Sequence, residues 1–101
     1  MKTLTEIRND LKEIRYYYTR KADFDESLKY IGTSALIDTV NLYNNQIRFA
    51  PAKLIDIYLS LYIHNHTQES LSAKFGCSTE YVQRLHKKLL LYLQENLKEK
   101  S

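Results

Sequence analysis

The side chains best suited to chemistry lie between Thr67 and Leu89, in the run TQESLSAKFGCSTEYVQRLHKKL. There Ser78, Thr79, Gln83, Arg84, Lys87 and Lys88 supply hydroxyls, a carboxamide, a guanidinium and two ammonium groups. Arginine and glutamine form paired hydrogen bonds with guanine and adenine edges, while lysines and hydroxyls hold phosphates. Gathered on one helix face, such a set suits the major groove of duplex DNA. Glu80 falls on the same face and works against it.

Other reactive groups nearby point to less. His64, His66, Cys77 and His86 lack the closely spaced ligand pairs and multiple thiolates of a structural zinc site, so no metal is expected. Cys77, at an apolar turn position, reads as a small buried hydrophobe rather than a nucleophile. His86 is expected to pack beneath its helix or to touch a phosphate. The chain has no glycine-rich phosphate loop, no paired carboxylates in an apolar setting and no Ser/His/Asp arrangement. Neither an enzyme nor a cofactor is expected.

What must position the polar set is a bend. Thr67 is placed to cap a helix over 68–75, Gly76 to close it with a positive φ, and Ser78 to cap the helix that follows. Counting from Gln68, a small residue, Ser72, stands fifth and Gly76 ninth. Apolar Leu71, Phe75, Cys77, Val82 and Leu85 occupy the fourth, eighth, tenth, fifteenth and eighteenth places. That register is the helix-turn-helix pattern. It turns Leu71 and Phe75 inward and leaves Thr79, Glu80, Gln83, Arg84 and Lys87 outward. The N-terminus of the second helix adds amide donors for a phosphate.

The remainder also reads as helix. With 2 glycines, 1 proline and no alternating pattern, the chain is expected to be all-α, a bundle of about five to six helices. Leu4, Ile7, Leu11, Ile14 and Tyr18 form a heptad stripe on a helix over about 3–21; it is the core face of a bundle helix or, alternatively, a dimer seam. Of the consecutive Tyr16, Tyr17 and Tyr18, at most two can be core, and Tyr18 continues the stripe. Asp23 with Glu26 suggests a capped helix over 24–31 closed by Gly32. Thr33 or Ser34 would cap the next, with Leu36, Ile37, Val40, Tyr43 and Ile47 inward. Pro51 then starts a helix to about His64 with Leu54, Ile55, Tyr58, Leu61 and Tyr62 inward, before a polar break at Asn65 and His66. Residues 1–50 form an N-terminal helical region for dimerisation or partner contact, and 51–101 the helix-turn-helix region, within one compact domain.

Composition sets the class. At 101 residues with 44% hydrophobic content, one packed core is supported. A single cysteine excludes an internal disulfide and suits a reducing cytoplasm. No run is apolar and long enough to span a bilayer. The net charge of +3 is mild. So few phosphate contacts bind weakly from one chain, which implies a homodimer or a helping partner.

The pattern Thr67-x-x-Ser70-Leu71-Ser72-x-x-Phe75-Gly76-x-Ser78-x-x-x-Val82 resembles the last DNA-binding region of bacterial sigma factors. The longer run LYIHNHTQESLSAKFGCSTEYVQRLHKKLL resembles the C-terminal half of the ArpU/RinA-type phage late-gene regulators, with Tyr62-Ile63 and Arg84-Leu85-His86 at their "YI" and "RLH" segments. This likeness spans roughly residues 54–93. It implies a transcriptional activator of phage or prophage late genes in a bacterial host, contacting double-stranded DNA through Ser78, Thr79, Gln83, Arg84, Lys87 and Lys88, with RNA polymerase as a further partner. Two alternatives use the same fold: a module gripping RNA polymerase, a repressor or a packaging protein without reading DNA, and a DNA-binding packaging factor.

Overall fold

The computed structural model describes residues 2–31 and 35–97. Among them are six α-helices and no strand: α1 Leu4–Thr19, α2 Lys21–Ile31, α3 Ala35–Ile47, α4 Ala52–Tyr58, α5 Gln68–Phe75 and α6 Thr79–Asn96. α4 runs on without a break as a π-helical turn over Leu59–Ile63. None of these helices is long and apolar enough to cross a membrane.

α1 is the spine. The Thr3 hydroxyl accepts the Glu6 amide at 3.1 Å and starts it, satisfying one of the unpaired donors of a first turn. Ile7, Leu11 and Ile14 are wholly buried, against the π turn, α3 and α6. The stripe is therefore the core face of a single chain and is not exposed as a dimer seam. One buried cluster runs from Ile7 to Leu97, so residues 1–50 and those after them share a core. Helical geometry divides the three tyrosines: Tyr17 is buried, Tyr18 half-buried and Tyr16 exposed. The stripe thus steps from Ile14 to Tyr17 as well as to Tyr18, as a period near 3.6 rather than 3.5 requires.

Several expectations are corrected. α2 starts at Lys21, so Asp23 lies in its first turn and not at its cap. There it forms an exposed pair with Arg20 at 3.8 Å. The closing role expected of Gly32 and the caps expected of Thr33 and Ser34 lie outside the described residues. In α4, Ile57 is buried and Ile55 only half-buried. The π turn adds a residue to its loop and shifts the inward face, so Tyr62 is half-buried. Its end is sealed by the His64 amide on the Leu59 carbonyl and the His66 amide on the Ser60 carbonyl, both at 2.8 Å.

Tyrosine hydroxyls satisfy the interior. Tyr43 donates to Asp10 at 2.6 Å, and Asp10 pairs with Lys2 at 3.1 Å. Tyr58 donates to Asn44 at 2.6 Å, and Asn44 donates to Tyr18 at 2.9 Å. These links tie α1, α3 and α4. Each phenol carries apolar bulk inward while its oxygen finds a partner, and no buried side-chain N or O among the described residues lacks one.

Candidate nucleic-acid interface

The loop into α5 is set by a strained residue and a long-range clamp. Asn65 adopts φ 60°, in the left-handed region that asparagine tolerates better than most residues. Arg15, on α1, donates Nε to Asn65 Oδ1 at 2.5 Å and Nη2 to the His66 carbonyl at 3.4 Å. Thr67 and Ser70 then cap α5 reciprocally: each backbone amide donates to the other's hydroxyl at 3.0 Å. Gly76, at φ 64° and ψ 34°, ends α5 as a left-handed residue. The Cys77 amide donates to the Ser72 carbonyl at 3.0 Å, and the Ser78 hydroxyl accepts the Tyr81 amide at 3.2 Å to start α6. Two helices thus meet through the three-residue turn 76–78.

α6 has two halves. Leu89, Leu90 and Leu93 are buried, with Leu97 just beyond the helix end. They anchor the C-terminal half against the core. The N-terminal half buries Val82 alone and shows three other flanks. Thr79 and Gln83 line an open polar groove with Thr67, Gln68 and Glu69 at the start of α5. Glu80, Arg84 and Lys87 follow one another at helical spacing along the crest, all exposed, with Lys88 exposed beside them. Tyr81 and Leu85 occupy the far flank, toward α4.

The ion pairs among the described residues, Lys2–Asp10, Arg20–Asp23 and Lys21–Asp25, lie at the N-terminal end. None engages Arg84, Lys87 or Lys88. Between Thr67 and Leu89 the sequence places four lysine or arginine residues against two carboxylates, so the surface of this unit is positive. Of the six residues predicted for contact, Gln83, Arg84, Lys87 and Lys88 are exposed on the crest and its borders. Thr79 is half-buried at the groove, and the Ser78 hydroxyl is engaged as the cap.

Two residues, Phe75 and Cys77, differ from expectation here, while His86 packs beneath its helix, one of its two expected places. Phe75 is 48% exposed instead of turned inward, at the end of a helix only two turns long. Cys77 is half-buried and forms part of a pocket wall. His86 lies under α6 against Tyr62, with the Tyr62 hydroxyl hydrogen-bonded to His86 Nε2 and the ring centroids 5.9 Å apart. Burial, reinforced by the nearby Arg8 guanidinium, holds the His86 pKa below the ordinary imidazole value. Burial also pushes Tyr62 up to about 12, with Arg15 and Arg8 opposing. The imidazole at this site is therefore neutral near pH 7.

Sequence reasoning missed Lys53. Its ammonium lies 3.3 Å from the Tyr81 hydroxyl and 6.0 Å from the Tyr81 ring centre. The contact spans 28 positions, and no local spacing signals it. No group of three or more His, Cys, Asp or Glu among the described residues could hold a metal ion. Comparison of the chain with protein-family models, with curated proteins and with solved structures finds no match.

Proposed function

We propose that this chain is a sequence-specific double-stranded DNA-binding regulator of transcription, of phage or prophage type, activating late genes from a bacterial cytoplasm. The N-terminal half of α6 lies in the major groove, with Gln83 and Arg84 on base edges and Lys87 and Lys88 on phosphates. The observation that carries this reading is the split character of α6. Its C-terminal half is fixed in the core, while its N-terminal half holds Gln83, Arg84, Lys87 and Lys88 exposed, and none of the four is in an ion pair among the described residues. The likeness of residues 54–93 to sigma-type and ArpU/RinA-type sequences supports it. Three crest cations make few phosphate contacts, so two chains on paired half-sites, or RNA polymerase beside one, supply the remaining affinity.

The test is duplex binding as a function of salt. Genomic fragments retained by the purified protein are sequenced, and the enriched site is titrated at several ionic strengths. Arg84→Ala is expected to weaken the site by about 1–3 kcal/mol and to relax its sequence preference. Retention of random fragments only, with Arg84→Ala indistinguishable from the parent, would overturn the reading. Glu80 on the crest is what favours a protein-binding module instead. If phosphates approach it, Glu80→Gln raises duplex affinity; a fall in affinity for a protein partner is the opposite outcome.

A further inference from the structure

Behind the crest, on the flank of α6 toward α4, is a pocket of about 210 Å³ lined by Lys53, Asp56, Ile57, Phe75, Cys77, Tyr81 and Leu85. Its walls are carbon surface that folding leaves uncovered. Phe75 is 48% and Tyr81 36% exposed, and Cys77 and Leu85 are half-buried. Two lysines stand over the exposed rings, Lys53 over Tyr81 at 6.0 Å and Lys74 over Phe75 at 5.9 Å. Neither takes part in an ion pair among the described residues. Asp56 is the one carboxylate in the lining, and Arg84 and Lys88 follow on the adjoining face of α6.

We infer that this pocket docks a short acidic segment of a partner protein, which inserts one large apolar side chain between Phe75 and Tyr81 and sets carboxylates against Lys53 and Lys74. The volume suits a single leucine- or phenylalanine-sized side chain. Removing such a side chain from water is favourable at roughly 25 cal/mol per Å² of apolar surface. Double-helical DNA offers no apolar group larger than the thymine methyl to place there. The flanking cations select the charge of the guest, since like charges across an interface are costly and opposite ones speed the encounter. An aromatic anchor inside a charged rim is also the usual anatomy of a protein contact. The pocket opens on a different flank from the Thr79–Gln83 groove, so the inference goes beyond the DNA reading and stands without it.

The experiment pans a library of random short peptides against the purified full chain, with no DNA present. Enriched sequences are expected to share one large apolar residue flanked by at least two carboxylates. Bound peptide should shift the amide resonances of Phe75, Cys77, Tyr81 and Leu85. Phe75→Ser and Lys53→Gln, both at accessible positions, should each weaken the best peptide about tenfold while leaving duplex binding unchanged. No enrichment above an unrelated protein, neutral or basic winners, or shifts confined to other residues would overturn the inference. So would displacement of the peptide by duplex DNA, which would make the pocket part of a nucleic-acid face. Concentration-dependent growth in mass that Phe75→Ser abolishes would overturn it too, by making the guest a second copy of the chain.

Discussion

α1 and α5 show two ways of holding a helix. α1 buries Ile7, Leu11, Ile14 and Tyr17 along one face. α5 buries Leu71 alone and keeps its shape through a reciprocal cap at one end and a left-handed glycine at the other. The first helix is held by the hydrophobic effect, which tolerates polar changes on its outer side. The second is held by local hydrogen bonds and backbone conformation, which leaves its surface free to meet something else. α5 and the N-terminal half of α6, which bury only Leu71 and Val82, are therefore presented by the core with most of their surface outside it.

The largest expected effect that separates the two regions is Leu11→Ala. A wholly buried leucine in the spine should cost about 2–5 kcal/mol in chemical denaturation. Phe75→Ala should cost well under that, since half the ring is already in water. Equal losses would mean that the turn region belongs to the same core. Next comes Gly76→Ala. A Cβ there would meet nothing within 4 Å, so the penalty is the backbone strain of φ 64° alone, about 1–2 kcal/mol. Gly76→Asn should recover part of it, whereas a steric cause would make asparagine worse. Thr67→Ala and Ser78→Ala are each expected to lose about 1 kcal/mol of stability.

A subtler contrast is in pH dependence. His86 has its folded pKa below its ordinary value of 6.5, so the unfolded chain binds the proton more readily. Stability from this site is complete above about pH 6.5 and declines as pH falls from there toward the folded value. His86→Gln should flatten that decline in melting temperature. At the other end of the scale, Tyr17, Tyr43, Tyr58 and Tyr62 all have raised pKa values, with burial as the first cause. Their contribution is complete below about pH 10 and is lost as pH rises beyond it, because the unfolded chain ionises first. Alkaline unfolding should coincide with tyrosinate absorbance, and Tyr43→Phe should make the loss of stability with rising pH less steep.

Features written in neighbouring residues around the α5–α6 turn were legible in the sequence, whereas the cap read from Asp23 and Glu26 was not the start of α2. Thr67, Gly76 and Ser78 act through bonds spanning three to five positions, so their residue types identify the cap, the turn and the second cap. The outward placement of Gln83, Arg84 and Lys87 followed from helical spacing against Val82 and Leu89. Burial at Phe75 was not legible, since it depends on whether α4 reaches over the end of α5. The π turn was equally hidden: Leu59–Ile63 has no residue type that forbids an ordinary helix. Lys53 against Tyr81 and Arg15 against Asn65 depend on how separate helices approach, which spacing along the chain does not encode.

The π turn has a geometric consequence. A helix advances roughly 100° about its axis with each residue, so one residue more or fewer between Leu59 and Ile63 changes the heading at which the chain leaves for Asn65. A single-codon deletion there would hardly shorten the molecule. It would swing α5 and α6 around the spine, and the azimuth of Arg84 is thus set by residue count as well as by residue type.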